Sequence, residues 1–321
     1  MIDLTTRLTN ELTLSSPVMN ASGVAGFSTE VQGYFDQRDL GAFVTKSLAH
    51  FATEGNPAPR VSGAGISMIN SVGLTGPGVR GWLEFHAPKL RMNNVPTIVS
   101  IWGRTVQDYA KVLAELNGVG DFVKAVEINV SCPNIEDSMN MFGHSPQAVA
   151  EILVATQTCK LPRFVKLSPN THLLQEVVAT CVEGGASGVV LINTVLGMAL
   201  DKRFLLPTLG ARSGGLSGPA IRQMSIRAIY DSYASFPHFP VIGVGGISTA
   251  NDAIEALAAG ARAIQVGTAS FVDPRAALKI LRELPLAMAR LGFERISDLT
   301  GAAHRGGVAA TKSALEFRDP T

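Results

Sequence analysis

Short runs of β-branched and other apolar residues alternate along the chain with longer segments that have helical spacing. This alternation is typical of parallel strands, because a parallel strand pair needs a crossover connection that is usually a helix. Eight runs are candidate strands: residues 18–21, 42–46, 97–101, 125–130, 164–167, 188–192, 241–243 and 263–266. Eight β-α units in 321 residues predict an α/β fold with one closed sheet, a TIM (β/α)8 barrel.

Two of the intervening segments carry recognisable helix signals. Ser145 can cap a helix over residues 145–157 with Pro146 at its first position, and residues 251–258 form a second helical segment. No linker or low-complexity segment divides the chain. We therefore predict one domain, a barrel over residues 1–304, followed by a peripheral C-terminal extension over residues 305–321.

The charge balance argues against polyanionic partners. Lys and Arg number 27 against 26 Asp and Glu, so there is no net field to attract nucleic acid or an anionic membrane. No apolar run approaches the ~20 residues that span a bilayer, and the first residues lack the basic-then-apolar pattern of a secretory signal. We expect a cytoplasmic protein that acts on a small molecule, with no nucleic-acid or membrane partner.

The three cysteines form no C-x-x-C pair, which argues against a disulfide framework, a metal site or an iron-sulfur cluster. Cys159 and Cys181 are expected to be packing residues. Cys132 follows a candidate strand and precedes Pro133, which places it in a loop where it could be a nucleophile, a redox sensor or a general base. Because no histidine motif accompanies it, proton transfer by the thiolate is the use that remains.

Polar and glycine-rich groups follow seven of the eight candidate strands, where the chemistry of such barrels gathers. The loops after the last two strands often bind phosphate through backbone N–H groups. Glycines and one threonine that could expose such groups are Gly214, Gly215, Gly218, Gly245, Gly246, Gly267 and Thr268. These positions predict a phosphate site late in the chain.

Several of these segments together resemble class 1 dihydroorotate dehydrogenases. The segments that carry the resemblance are NASG (20–23), TKS (45–47), EGNPAPR (54–60), NSVGLTGPGV (70–79), NVSCPN (129–134), VKLSPN (165–170), LINTVLGMALD (191–201), GGLSGPA (214–220), GVGGIS (243–248) and QVGTASF (265–271). They occur in the family's order from the N-terminus to about His304. The cysteine of SCPN is similar to the soluble class 1 enzymes, since the membrane-associated class 2 enzymes have serine there.

The resemblance implies a TIM barrel that binds FMN and oxidises (S)-dihydroorotate to orotate in pyrimidine biosynthesis. It implies that Cys132 removes the proton from C5 while hydride leaves C6 for flavin N5, and that Lys46 touches both flavin and substrate. The substrate-binding residues that it implies are Lys46, Asn70, Gly73, Leu74, Asn129, Asn193 and Thr194. The cofactor-binding residues that it implies are Ser22, Lys46, Ser47, Ser100, Asn129, Lys166, Ile192, Gly218, Gly245, Gly246, Gly267 and Thr268.

The subclass features are mixed. LINTVLGMALD and RSGGLSGPAIR resemble NAD-linked 1B enzymes, which pass electrons to a separate subunit with FAD and a [2Fe-2S] cluster, whereas MNASGV and Ser100 are similar to fumarate-linked 1A homodimers. We favour 1B, and either a heterotetramer or a homodimer. Two departures from the family are Gly76, where Asn is usual, and the acidic loop 135–141 with Glu136 and Asp137.

Two other functions stay open on the sequence. The chain could oxidise or reduce a different pyrimidine ring on the same FMN barrel. It could also be a flavin-binding subunit that assembles with an electron-transfer partner and has little turnover of its own. Reduction of bound FMN by dihydroorotate distinguishes these from the first interpretation.

Overall fold

A computed structural model describes residues 2–131 and 141–310 of the chain. Its strands are β1 (Thr6–Arg7), β2 (Thr13–Leu14), β3 (Val18–Asn20), β4 (Phe43–Val44), β5 (Val61–Ala64), β6 (Ser67–Asn70), β7 (Thr97–Ile101), β8 (Val123–Asn129), β9 (Arg163–Lys166), β10 (Gly188–Leu191), β11 (Val195–Gly197), β12 (Gly214–Ser217), β13 (Val241–Val244) and β14 (Ala263–Val266). Eight of them form one sheet in the order β3-β14-β13-β10-β9-β8-β7-β4, and all seven pairs are parallel. The predicted TIM barrel is confirmed.

α-Helices follow seven of the eight barrel strands and surround the sheet, whereas β3 is followed by a 3-10 helix, Gln37–Asp39. The α-helices are α1 (Gly78–Phe85), α2 (Ala87–Met92), α3 (Val106–Leu116), α4 (Pro146–Ala155), α5 (Leu174–Glu183), α6 (Arg222–Ser235), α7 (Ala250–Ala259), α8 (Ala269–Val272), α9 (Ala276–Arg290) and α10 (Ile296–Leu299). Both helix predictions are confirmed within two residues: Ser145 Oγ accepts the Ala148 N–H as the cap of α4, with Pro146 at its first position. The second predicted segment is α7, which begins at a capping box of Thr249 and Asp252.

The eight predicted strands coincide with the barrel strands, and only their ends differ. The largest difference is at 42–46, where the ladder covers only Phe43–Val44. This strand meets β3 at the seam of the barrel, where the Asn20 side chain replaces part of the backbone pairing. Its amide donates to Val44 O at 2.7 Å and accepts from the Val44 N–H at 3.1 Å. The seam is therefore closed by a side chain and not by a regular ladder.

Two smaller sheets were not predicted. β1 and β2 form an N-terminal hairpin, and β11, β12, β6 and β5 form a four-stranded antiparallel sheet in that order. Gly214 and Gly215, which the glycine pattern assigned to phosphate binding, lie in β12 and pair with β11 and β6. That assignment is wrong for these two residues, because their backbone groups belong to the antiparallel ladder.

The inside of the barrel changes from apolar to polar along its axis. Towards one end, inward residues such as Ile98, Ala125 and Phe164 form one cluster with Leu8 and Leu12 of the hairpin segment. The next inward positions on the same strands carry polar side chains, Ser100 on β7, Glu127 on β8 and Lys166 on β9. The hairpin therefore closes the apolar end, and the polar end faces the loops that follow the strands.

Two further features concern the chain as a whole. In residues 2–131 and 141–310, no helix is long and apolar enough to cross a membrane. The predicted boundary after residue 304 falls within a 3-10 helix, Ala302–Arg305, which a second one, Gly307–Ala310, follows. The rest of the predicted extension, from residue 311, lies outside the described residues.

Candidate active site

A cavity of about 460 Å³ lies at the carboxyl end of the barrel strands. This size is typical of small-molecule and cofactor sites. Residues named from the sequence that line it are Ser22, Lys46, Ser47, Asn70, Gly73, Leu74, Asn129, Lys166, Ile192, Asn193, Thr194, Gly218, Gly245, Gly246, Gly267 and Thr268. They come from loops and strand ends that are distant in sequence, so the fold gathers the predicted positions at a single site.

Of the described residues that the family resemblance implied, Ser100 alone is not among those that line the cavity. Cys132 lies outside the described residues, but its chain neighbour Ser131 lines the cavity. Ser100 is fully buried behind the wall, where its Oγ lies 2.9 Å from Ser47 Oγ. Ser100 can therefore reach a bound group only through another side chain such as Ser47.

Amide side chains at one side of the cavity are joined in a chain of hydrogen bonds. Asn129 Oδ1 accepts from Asn193 Nδ2 at 3.2 Å and from the Ser131 N–H at 3.1 Å. Asn193 Oδ1 in turn accepts the Thr194 N–H at 2.8 Å. Each amide offers a donor and an acceptor, so this wall suits a neutral ring edge that presents both.

The loop between β6 and α1 adds a turn with left-handed backbone to the same cavity. Gly73 has φ 74° and Leu74 has φ 55°, a region that residues other than glycine rarely occupy. A Cβ at Gly73 would lie 2.4 Å from the backbone nitrogen of Asn56, so only glycine fits there. This turn and Asn70, whose Nδ2 donates to Gly215 O at 3.3 Å, complete the wall opposite the barrel.

Lys46 lies in the cavity wall, half-buried, just beyond β4. Its Nζ is 5.4 Å from the ring centroid of Phe27, within the range of a cation-π contact. Burial lowers the pKa of the Lys46 amine below its ordinary value, and the positive charge of Arg60 lowers it further. An anion bound in the cavity would favour the charged amine and offset this cost.

The departure at Gly76 has a steric explanation beside Lys46. Gly76 and Thr53 exchange two backbone hydrogen bonds of 2.9 Å. A Cβ on Gly76 would lie 2.9 Å from Cζ of Phe27, closer than side chains approach one another. The glycine therefore leaves room for the aromatic ring that contacts Lys46. The other departure, the loop 135–141, falls on residues outside the described chain except for Met141.

The late glycines Gly218, Gly245 and Gly246 form a rim at one end of the cavity. Gly218, Gly245 and Gly246 have φ of 101°, 132° and 72°, which L side chains seldom adopt. A Cβ on Gly246 would lie 2.7 Å from Cβ of Arg222. Thr268 Oγ1 donates to Ser217 Oγ at 2.8 Å beside them. Glycine lets a ligand approach the backbone closely, so a rim of this composition suits a phosphate bound by backbone N–H groups.

Sequence reasoning missed a set of polar residues under the cavity floor. Glu127 and Gln265 are almost fully buried inside the barrel, and Lys166 reaches from them into the cavity lining. Glu127 Oε1 lies 3.5 Å from Lys166 Nζ, and Gln265 Nε2 donates to Glu127 Oε2 at 2.7 Å. Glu127 lies two residues before the NVSCPN segment, and this inward position before Asn129 was the available signal.

The remaining cysteines behave as predicted. Cys181 is fully buried in the core between helices and barrel, and burial raises its thiol pKa well above the usual range. Burial also raises the thiol pKa of Cys159, whose Sγ lies 3.7 Å from Leu161 O. Among the residues that the structure describes, no cluster of three His, Cys, Asp or Glu side chains could hold a metal ion.

Comparisons with known proteins identify the family of the chain. A family model described as dihydroorotate dehydrogenase matches residues 4–288. The chain is 41% identical over 297 residues to the dihydroorotate dehydrogenase B (NAD(+)) catalytic subunit of Desulforudis audaxviator, covering 92% of this chain and 96% of the relative. The subunits of the same name from Geobacter sp. (strain M21) and Halalkalibacterium halodurans are each 40% identical, covering 90% and 91% of this chain and 94% and 95% of the relatives.

Proposed function

Because the chain belongs to the dihydroorotate dehydrogenase family, we propose that its cavity holds FMN and the pyrimidine substrate of a class 1B catalytic subunit. The enzyme is an FMN-dependent oxidoreductase that converts (S)-dihydroorotate to orotate in pyrimidine biosynthesis. The observation that carries the site assignment is that 16 residues named from the sequence line one cavity.

The described residues fit FMN. The rim that includes Gly218, Gly245 and Gly246 would bind the phosphate through backbone N–H groups, with Gly267 and Thr268 beside it in the cavity lining. Lys46, Ser47 and Lys166 line the part of the cavity that would receive the isoalloxazine and ribityl groups. When bound, FMN supplies the acceptor for the hydride that leaves C6 of the substrate.

The chain's own residues would bind and orient the substrate. Asn129, Asn193 and Thr194 match the donors and acceptors of a pyrimidine edge, with Asn70 and the Gly73–Leu74 turn on the opposite wall. Lys46 would pair with the substrate carboxylate. Cys132 would take the C5 proton on its sulfur, since it follows Ser131 at the wall that holds Asn129.

Orotate affinity should depend on the protonation of Lys46. Its folded-state pKa is depressed by burial and by Arg60, and a bound carboxylate favours the charged amine. Orotate affinity is therefore highest below the pKa of Lys46 and falls as pH rises through it. Because that pKa is lowered, the fall occurs at a lower pH than for an exposed lysine. Titrating orotate into the oxidised protein from neutral to alkaline pH measures this. Lys46→Met is the control, because its profile retains only the titration of other groups and of the ligand.

If orotate affinity falls over the same pH range in the parent and in Lys46→Met, the group that titrates is not Lys46. The assignment would also be contradicted if the orotate affinity of the parent stayed constant up to the pH at which an ordinary, exposed lysine loses its proton. Either result would remove Lys46 from the carboxylate site.

We propose that electrons leave this chain through a separate subunit that carries FAD and a [2Fe-2S] cluster. Support comes from the relatives, whose name includes both NAD(+) and a catalytic subunit. The sequence itself has no C-x-x-C pair for a cluster. NAD alone should therefore not reoxidise the reduced protein at a useful rate, whereas the partner subunit with NAD should. Rapid NADH formation by the isolated chain would contradict this, and efficient reoxidation by fumarate would favour the 1A alternative.

Assembly with other subunits is supported by an exposed apolar surface next to the antiparallel sheet. Met198, Phe204, Leu205 and Leu206 are each more than half exposed on the segment between β11 and β12. Several exposed apolar side chains on one short segment are a candidate interaction site. A homodimer or a heterotetramer would bury it.

We also propose that residues 1–304 are the FMN-binding barrel and 305–321 an extension.

The first test of the proposed function is the flavin content of the purified chain. We expect a yellow protein that releases one FMN per chain on denaturation, because the glycine rim accommodates one phosphate. Release of FAD, or of no flavin from protein prepared with added FMN, would contradict the assignment. Reconstitution of the colourless protein with FMN controls for loss during purification.

A further inference from the structure

Glu127 places a carboxylate inside the barrel, directly beneath the cavity. It is fully buried, and both of its oxygens are engaged by polar partners. Oε1 accepts from Ser100 Oγ at 3.1 Å and lies 3.5 Å from Lys166 Nζ. Oε2 accepts from Gln265 Nε2 at 2.7 Å. These contacts define a floor network of four residues: Ser100, Glu127, Gln265 and Lys166.

Stability alone does not account for this arrangement. The inward neighbour of Glu127 on the same strand is Ala125, whose register partner is Ile98, and Glu127 itself pairs with the apolar Phe164 of β9. Continuing that apolar packing would avoid the desolvation of two charges, which often exceeds their mutual attraction. Lys166 is the network's one member that lines the cavity, and only 6% of it is exposed. The network therefore acts on whatever lies against Lys166.

We propose that Glu127 is a positioning residue that sets the reduction potential of the bound flavin through Lys166. The proposal rests on the proposed function, because it requires FMN in the cavity. Glu127 and Gln265 hold the Lys166 ammonium against the floor, since Lys166 Nζ also lies 3.5 Å from Gln265 Oε1. The carboxylate also offsets much of the positive charge that Lys166 presents to the cavity.

The direction of the effect follows from the charges. Reduction by two electrons places negative charge on the flavin ring, which a nearby ammonium stabilises and a nearby carboxylate opposes. Glu127→Gln keeps the side-chain shape and removes the negative charge. The ammonium of Lys166 is then unopposed, so the reduced form gains stability relative to the oxidised form.

The experiment is an equilibrium titration of the FMN-loaded protein against a reference dye at neutral pH. For Glu127→Gln we expect the ratio of reduced to oxidised flavin at a given potential to rise about tenfold, because one buried charge is removed near the ring. A tenfold change equals about 30 mV for a two-electron couple. The matched control is Asp108→Asn, which removes a buried carboxylate that caps α3 and pairs with His50 away from the cavity. It should lower thermal stability and leave the potential unchanged.

A double-mutant cycle that removes the charges of Glu127 and Lys166 singly and together makes the test independent of how well one variant folds. Lys166→Gln leaves the Glu127 carboxylate unopposed, so the potential should fall. The double variant removes both charges, and its potential should lie between those of the two single variants. Any departure of the double variant from the sum of the two single shifts measures the interaction of the two side chains.

Two outcomes would overturn the proposal. One is that Glu127→Gln binds FMN with an unchanged or lower potential while losing only thermal stability, which would make the carboxylate purely structural. The other, available if Glu127→Gln does not fold, is an unchanged or higher potential in Lys166→Gln. Failure of the proposed function is separate, because the parent protein would then bind no FMN and have no flavin potential to measure.

Discussion

Cys132→Ser should slow the reduction of bound FMN by dihydroorotate by roughly 10²- to 10⁴-fold, the contribution of a positioned general base. A thiol has an ordinary pKa of ~8.5, whereas a serine hydroxyl is a far weaker acid and needs a further activator to accept the C5 proton. The measurement is single-turnover flavin bleaching, since a slow electron acceptor could hide the defect in steady-state turnover. The residual rate should rise with pH, and the affinities for FMN and orotate should stay close to those of the parent.

The other two cysteines provide matched controls for the same chemical change. Cys181 is fully buried in the core, and Cys159 packs against its edge. Cys159→Ser and Cys181→Ser should keep the reduction rate of the parent and lower the free energy of unfolding by about 1 kcal/mol. A Cys132→Ser protein that reduces its flavin as fast as the parent at neutral pH would mean that another group is the base.

Lys46→Met should weaken orotate binding by roughly 10- to 150-fold, the loss of one hydrogen bond to a charged group. Methionine retains most of the apolar stem, so its contact with Phe27 is preserved while the ammonium is removed. The weaker binding should appear in equilibrium titrations of orotate with the oxidised protein. Flavin reduction should slow as well, because Lys46 would no longer contribute positive charge next to the ring.

The control is Lys160→Met, which removes a lysine from an exposed position after α4. It should leave both orotate affinity and flavin reduction unchanged. If Lys46→Met binds orotate as tightly as the parent, the substrate carboxylate must be held elsewhere in the cavity. Arg60 would then be the next candidate, because its charge already acts on Lys46.

The barrel could be predicted because its signals are local. Each strand is a short apolar run, and the start of a helix such as α4 can be read from a few residues, here Ser145 and Pro146. The parallel arrangement brings the strand ends to one edge, so residues such as Asn129, Lys166 and Gly245 could be assigned to one site before their distances were known. Family resemblance then added Asn70 and the Gly73–Leu74 turn.

What could not be predicted depends on pairing between distant segments. β12 pairs with β6 across about 145 positions of sequence, and its two glycines resemble a phosphate loop until that partner is known. The contacts of Glu127 could not be predicted for the same reason, because its three partners come from three other strands. Ser100 was assigned to the cofactor, yet it reaches the cavity only behind Ser47. Pairing and register between strands that are distant in sequence decide all three cases.

The most direct test mixes FMN-loaded protein with (S)-dihydroorotate under anaerobic conditions in a stopped-flow spectrometer. The account predicts that the flavin absorbance bleaches in a single turnover, with one orotate formed per FMN, and that dihydrouracil in place of dihydroorotate produces no bleaching. The dihydrouracil control matters because the substrate carboxylate is assigned to Lys46. Flavin that stays oxidised with dihydroorotate would mean a flavin-binding subunit without turnover, and equal bleaching by dihydrouracil would mean a different pyrimidine substrate; either result would contradict the account.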